Sequence, residues 1–274
     1  MKLALLSSGR LGYETCKKLI KEHHISFMMT DKKSADIIRL AKDHSIELYI
    51  GNPREEKAID FIKEKEVDIL ITINYLFIIK QELINVAKVL AFNIHGSLLP
   101  KYRGRTPHVW AIINDEKETG ITAHKIDKDL DSGEVIKQIR INIEEDDTGA
   151  TLLAKYQENY FPLINSILQD VRSNRVTSYQ QDDAKATYFK KRTPSDGRID
   201  WNWQFRRINN WVRAQAHPYP GAFSYYKDEK VVIDKVKRSD IGFHQNMQNG
   251  TILSIDPLVV KCSNTALEIV SHRE

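Results

Sequence analysis

Between residues 1 and 95 the chain repeats one pattern, a short apolar run followed by a longer amphipathic stretch. "LALLS" precedes 10–22, "ISFMMT" precedes 34–44, "ELYI" precedes 54–65, and "DILITIN" precedes 80–86 before a final run, "KVLAFNI". A strand covered on both faces needs near-continuous apolar side chains, whereas a helix lying on a sheet needs only one apolar stripe. The alternation therefore predicts βαβ units in a doubly wound, mainly parallel α/β sheet with helices on both faces. Ligands of such sheets gather beyond the carboxyl ends of the strands. The segment "FNIHGSLLPKYRGR", residues 92–105, begins at such an end.

Within that segment Asn93 and His95 are two residues apart, and strand side chains at i and i+2 point the same way. Asp131, in "KDLDSGE", is a third candidate. An amide donor, an imidazole and a carboxylate together suit acyl transfer to an amine. The amide stabilises an oxyanion, the imidazole moves a proton, and the carboxylate orients the imidazole and stabilises its charged form. Taken alone, the same residues also fit two satisfied polar groups at a strand end and an Asp-Ser-Gly turn.

Further along, the pattern predicts a helix at 106–114, a strand "GITAHKI", a turn, a strand "VIKQIRI" and one long amphipathic helix over 149–172. The expected organisation is a catalytic domain over 1–175, a polar linker over 176–200 and a small β-rich domain over 201–274. That last part opens with a helical pattern at 204–215 and continues with "AFSYY", "KVVIDKV", "GTILSI", "LVVKC" and "ALEIV". Charged residues make up 28% and hydrophobic residues 41%, which excludes wholesale disorder, and no apolar run is long enough to cross a bilayer. The N-terminus reads as a first strand rather than a signal peptide. Cys16 and Cys262 stand alone, without the spacing of a disulfide framework or a thiolate metal site. His108 and His124 show no metal-ligand spacing either, and His23 and His24 are expected to face solvent. No metal and a cytoplasmic location are expected.

The stretch "NIHGSLLPKYRGRTPHVWAIINDEKETGITAHKIDKDLDSGEVI" resembles the signature of the folate-dependent formyltransferases. "TYFKKRTPSDGRIDWNWQFRRINNWVRAQAHPYPGAF" resembles the region that opens the C-terminal domain in methionyl-tRNA formyltransferases and in the enzymes that formylate nucleotide-linked amino sugars. The resemblance implies a formyltransferase Rossmann-like fold, 10-formyltetrahydrofolate as formyl donor, and Asn93, His95 and Asp131 as the catalytic residues. It also implies a folate pocket lined by Phe77, Ile78, Ile79, Arg105, Asp127, Lys128, Asp129 and Leu130. The acceptor is implied near Ser8, Gly9, Arg10, Tyr75 and Arg103. The first three of these belong to the turn "SSGRLG" between strand and helix, whose amides could meet an anion; the turn lacks G-x-G-x-x-G, so a dinucleotide site is not indicated.

Among the branches, the amino-sugar enzymes fit best, in particular those acting on UDP-4-amino-4-deoxyarabinose, with methionyl-tRNA formyltransferase as the alternative. The purine-pathway enzyme resembles the catalytic part alone, and the formyltetrahydrofolate hydrolases usually carry a preceding regulatory domain, which is not expected here. The tRNA enzymes carry a Gly- and Lys-rich insertion after the second strand, whereas "FMMTDKKSADII" passes from strand to helix with two lysines and no glycine. Residues 201–274 hold 10 Lys and Arg against 7 Asp and Glu, spread out rather than striped. Binding nucleic acid through counterion release would call for a denser cationic face. The expected partner is therefore a nucleotide sugar, with neither nucleic acid nor membrane, in a chain that plausibly forms a homodimer. A non-catalytic folate- or nucleotide-binding module is the reading from a different class, and the intact Asn93, His95 and Asp131 argue against it.

Overall fold

The computed structural model describes residues 1–273. In chain order they form β1 (Lys2–Ser7), α1 (Gly9–Glu22), β2 (His24–Thr30), α2 (Ala35–Asp43), β3 (Glu47–Ile50), α3 (Glu56–Ile62), β4 (Val67–Ile73), α4 (Gln81–Ile84) and β5 (Ala87–His95). There follow β6 (Arg103–Gly104), α5 (Pro107–Ile113), β7 (Glu118–Lys125), β8 (Val135–Asn142), α6 (Gly149–Arg172) and β9 (Tyr188–Phe189). The chain then continues through α7 (Phe205–Ala214), β10 (Ala222–Tyr226), β11 (Glu229–Ser239), β12 (Ile252–Ile255), β13 (Leu258–Lys261) and β14 (Ala266–Arg273). These elements divide into two compact units. One comprises Met1–Arg103, Gly120–Arg140 and Tyr156–Tyr188, and the other Gly104–Thr119, Ile141–Lys155 and the chain from Phe189 onward.

The first unit is built on a seven-stranded sheet in the order β3-β2-β1-β4-β5-β7-β8. β3, β2, β1, β4 and β5 pair in parallel, as the alternation predicts. β7 then pairs with β5 antiparallel. Ala4, Leu6, Phe27, Met29, Leu70, Leu83 and Val86 form a core cluster against one face. The side-chain period of two turns these strand residues inward, and the helices cover them. The long helix α6 matches its predicted span, with Leu152, Tyr156, Leu163, Ile164, Ile167 and Leu168 buried. α3 and α4 are shorter than the apolar pattern suggests: residues 63–66, "KEKE", are charged and offer no apolar stripe to extend α3, and α4 is a single turn.

The second unit carries the β-rich module expected near the C-terminus, a five-stranded sheet in the order β10-β11-β14-β13-β12 whose neighbouring strands pair antiparallel. Ile208 and Val212 of α7 pack with Ala222, Ile233, Val236, Cys262 and Leu267. The polar side of α7 fixes two segments that are distant in sequence. Arg213 Nη1 donates to the carbonyl oxygens of Glu144 and Asp147 at 3.0 and 2.7 Å, and its Nε donates to Asn210 Oδ1 at 2.9 Å. Asn210 in turn donates to Asp115 at 2.9 Å, and Arg206 forms an ion pair with the same carboxylate at 2.6 Å. These bonds explain why residues 104–119 and 141–155 group with α7 rather than with the strands that precede them.

Arg213 is buried, so removing its guanidinium strands two carbonyls that water does not easily reach. We expect Arg213→Met to lower stability by about 2–4 kcal/mol, the scale of losing charge-assisted hydrogen bonds and leaving buried acceptors unpaired. Urea unfolding measures this, and an unchanged midpoint would contradict the anchoring role.

Candidate active site

The end of β5 sets the site. Its neighbours place Thr72 of β4 and His124 of β7 directly opposite Asn93, on either side. Thr72 Oγ1 donates to Asn93 Oδ1 at 2.6 Å, and the Asn93 amide nitrogen lies 3.0 Å from His124 Nε2. The tautomer of His124 follows from its other nitrogen, which lies 2.9 Å from the Lys125 carbonyl oxygen. A carbonyl can only accept, so Nδ1 carries the proton and Nε2 accepts from Asn93. Burial pushes the His124 pKa down to about 4, against the opposing pull of Asp131, and keeps the ring neutral. One Asn93 N–H is thereby engaged, and the amide's orientation is set from both sides. Its second N–H is engaged by neither of these partners.

His95 closes β5 and is buried. Its Nε2 lies 2.7 Å from the Tyr102 carbonyl oxygen, and its Nδ1 lies 3.4 Å from Asp131 Oδ2. Both nitrogens therefore face acceptors, an arrangement that accommodates an imidazolium with each N–H directed at oxygen. Asp131 Oδ1 also stands 3.7 Å from His124 Nε2, so the carboxylate lies beside both rings. Asp131 is both a turn residue and a buried carboxylate: its φ of 56° is left-handed, a conformation that aspartate tolerates better than most side chains. Two residues on, Gly133 passes so close to β7 that an added Cβ would lie 1.9 Å from the Lys125 carbonyl oxygen. The candidates Asn93, His95 and Asp131 thus come together in the first unit.

The other predicted site residues are spread more widely. In the loop after β4, Ile78 is exposed, Phe77 and Ile79 are half-buried, and Phe77 meets Tyr75 edge-on at 5.4 Å between ring centres. Tyr75 and Ile79 pack on the core cluster of the first unit, as does Ile126 from the loop after β7. Asp127, Lys128, Asp129 and Leu130 are exposed in that loop. Ser8 stands at the N-cap position of α1 without a side-chain cap bond and is buried, and its hydroxyl lies next to the Asp31 carboxylate, whose pKa it helps to lower. The Gly9 amide donates to Ser34 Oγ at 2.9 Å, and Ser34 donates to Asp31. Arg10 is exposed and pairs with Glu14. Arg103 is fully buried, with its guanidinium on Gln181, Asp183 and Tyr188. Arg105 belongs to the second unit; its side chain is exposed and its amide donates to the Phe189 carbonyl. Of the histidines at the junction of α1 and β2, His24 is exposed as expected, whereas His23 is half-buried.

Residues 4–164 match the model of the formyl transferase family, and residues 191–274 match that of its C-terminal domain. The chain belongs to the formyl transferase family. The bifunctional polymyxin resistance protein ArnA of Wigglesworthia glossinidia brevipalpis is 40% identical over 223 residues, covering 81% of this chain and 34% of that relative. The chain thus spans about a third of the length of the curated relative it matches. Among solved structures, an N-formyltransferase from Helicobacter canadensis in complex with folinic acid and dTDP-3-aminofucose superposes with a TM-score of 0.73 at 20% identity over 98% of each chain. WlaRD, a sugar 3N-formyl transferase, gives 0.71 at 20% identity over 98% of this chain and 96% of its own. These likenesses establish the shared fold.

Thr72, His124 and Gln181 were not singled out from the sequence as site residues. Thr72 and His124 lie opposite Asn93 only because of strand register, and an apolar run carries no register mark. Among the described residues no group of three or more His, Cys, Asp and Glu could hold a metal, and no helix is long and apolar enough to cross a membrane.

Burial holds His124, and also His108 in the second unit, at about 4, below the value near 6.5 of an unfolded chain. The unfolded state therefore takes up protons first. Stability is fully present above about pH 6.5 and falls toward pH 4 by up to about 1.4 kcal/mol per pH unit for each histidine. Urea midpoints measured from pH 7 to pH 4.5 should show a shallower decline in His124→Gln than in the unsubstituted chain; identical slopes would contradict a neutral buried His124.

Proposed function

We propose that the protein transfers the formyl group of 10-formyltetrahydrofolate to the amine of a nucleotide-linked amino sugar. The observation that carries this reading is the row Thr72–Asn93–His124 with His95 and Asp131 beside it, because it supplies an oriented amide donor and a proton-handling pair without a nucleophilic Ser or Cys. The amine nitrogen attacks the formyl carbon, and the second N–H of Asn93 stabilises the oxygen as it becomes negative. The proton that the amine gives up is taken up by the His95–Asp131 pair, the carboxylate balancing the ring's charge. Breaking the bond to the donor nitrogen returns that proton to the folate. The products are the N-formyl sugar and tetrahydrofolate, with every atom and proton accounted for.

The ligand complexes recorded for the structural neighbours support this choice of donor and acceptor, since one holds folinic acid with dTDP-3-aminofucose and the other was solved with dTDP and 5-N-formyl-THF. The ArnA relative, a polymyxin resistance protein, supports a role in modifying surface glycans such as lipopolysaccharide. Cys16 and Cys262, both buried and unpaired, are consistent with a cytoplasmic enzyme. For the donor we propose, within the first unit, Phe77, Ile78, Ile79 and the loop Asp127 to Leu130, where the exposed Ile78 and Leu130 and the half-buried Phe77 and Ile79 suit a pterin wall. For the acceptor we propose Ser8, Gly9, Arg10 and Tyr75. The buried Ser8 hydroxyl stands at the N-terminus of α1 beside exposed Arg10, and the helix start there suits a diphosphate oxygen.

Asn93→Ala, His95→Asn and Asp131→Ala are each expected to lower kcat by about 10²-fold or more while the KM of the acceptor changes little. The three act as a unit, so the losses should not add in combination. Steady-state kinetics on each variant checks this, and near-normal turnover in His95→Asn would remove the assignment.

The choice of acceptor has its own test. Purified protein is offered 10-formyltetrahydrofolate with UDP- and dTDP-linked 3- and 4-amino sugars, and separately with methionyl-tRNA, and formamide formation is followed by mass spectrometry. We expect at least one sugar to be formylated and the tRNA to be left untouched. Efficient modification of the tRNA alone would reverse the branch.

A further inference from the structure

The loop that carries Asp131 is held from outside the formyl transfer site by a residue of the polar segment that follows α6. Gln181 Nε2 donates to the carbonyl oxygens of Asp131 and Gly133 at 2.8 and 2.7 Å. Its own oxygen accepts from Arg103 Nε and Nη2 at 3.1 and 2.7 Å. Because a guanidinium can only donate, it requires Gln181 Oε1 to face it, which turns the amide N–H groups toward the loop and leaves no alternative flip. Arg103 is fixed in turn: it is fully buried, pairs with Asp183 at 2.7 Å and donates to the Tyr188 hydroxyl at 2.6 Å. The carbonyl that Gln181 grips belongs to Asp131 itself, whose left-handed φ of 56° needs support from its surroundings. All of these residues lie in the first unit.

We propose that Gln181, oriented by Arg103, is a positioning residue that holds the Asp131 carboxylate against His95. Arg103 then acts from behind the site instead of binding the acceptor. This inference rests on the formyl-transfer reading for its kinetic arm only. In the first arm, Gln181→Met keeps the length of the side chain and removes both donors. It should lower kcat about tenfold with the KM of donor and acceptor within about twofold, since small displacements of a catalytic group are costly. If Gln181 acts through Asp131, the same substitution made in an Asp131→Asn background should cost less than about twofold more, because the two changes remove one interaction. Equal losses in both backgrounds, or none in either, would overturn the proposal, since a purely structural role predicts additive effects.

The second arm needs no turnover. Hydrogen exchange of peptides covering 126–135 should quicken by about tenfold or more in Gln181→Met, with the peptides of β1 and β4 unchanged. Unaltered exchange in the loop would overturn the proposal even if every kinetic value agreed. A chain that formylates no sugar while the loop still loosens would refute the function proposed above and leave the clamp in place.

Discussion

The row formed by Thr72, Asn93 and His124 across β4, β5 and β7 is the constraint on which the rest of the site depends. An asparagine amide can turn over at little cost, and only its partners decide which end is oxygen. Here a hydroxyl donates to one end and a neutral imidazole accepts from the other, so only one orientation satisfies both. The neutral state of His124 is part of this lock. A proton on Nε2 would set a donor against a donor and would draw the ring toward Asp131, 3.7 Å away, in competition with His95. Burial, the dominant influence on this ring, prevents that.

His95 and His124 therefore perform opposite hydrogen-bond tasks within one small volume. His95 faces two oxygen acceptors, the Tyr102 carbonyl and the Asp131 carboxylate, whereas His124 faces one carbonyl and one amide donor. The difference comes from backbone placement: the loop after β5 returns the Tyr102 carbonyl to His95, and the turn before β8 returns Asp131. Tyr102 itself has φ 61°, and its amide is held by the Thr187 hydroxyl at 2.8 Å. Two non-glycine residues in left-handed conformation thus flank the same imidazole, each tied down by the segment that follows α6. Strained backbone of this kind persists only where neighbours over-determine it.

Much of this architecture was legible in the sequence, and the parts that were not share a physical cause. Parallel strands buried on both faces announce themselves as apolar runs, and α6 shows its stripe over many turns, so the sheet and the long helix could be read directly. Asn93 and His95 stood out because polar groups interrupt such a run. His124 did not, because its importance comes from the reversal of β7 and from a register that brings it opposite Asn93. Gln181 was hidden differently. It lies in a polar stretch without periodicity, where a residue that clamps a buried loop looks like any other linker glutamine. The grouping of residues 104–119 and 141–155 with α7 was equally invisible, since it rests on Arg213 and Asn210 meeting backbone and carboxylate partners far away in sequence.

The buried row also bears on where acceptor choice resides. Thr72, His95, His124 and Asp131 are all buried, and their side chains interact mainly with one another and with nearby backbone. Nothing in that set distinguishes a sugar amine from the α-amine of an aminoacyl ester, because both present the same unprotonated nitrogen to the same formyl carbon. Discrimination must come from groups that contact the remainder of the acceptor, where an unmet hydrogen bond or a missing charge pair carries the free-energy difference. On the acceptor reading proposed above, such a group in the first unit is Ser8, a buried hydroxyl at the start of α1 next to the Asp31 carboxylate and beside an exposed Arg10. A single diphosphate can meet that hydroxyl and the helix amides together. A tRNA acceptor stem would draw most of its affinity from many spaced phosphates, which one helix start cannot supply. On the proposed reading the chemistry belongs to the buried row, and acceptor choice belongs to residues that the chemistry does not require.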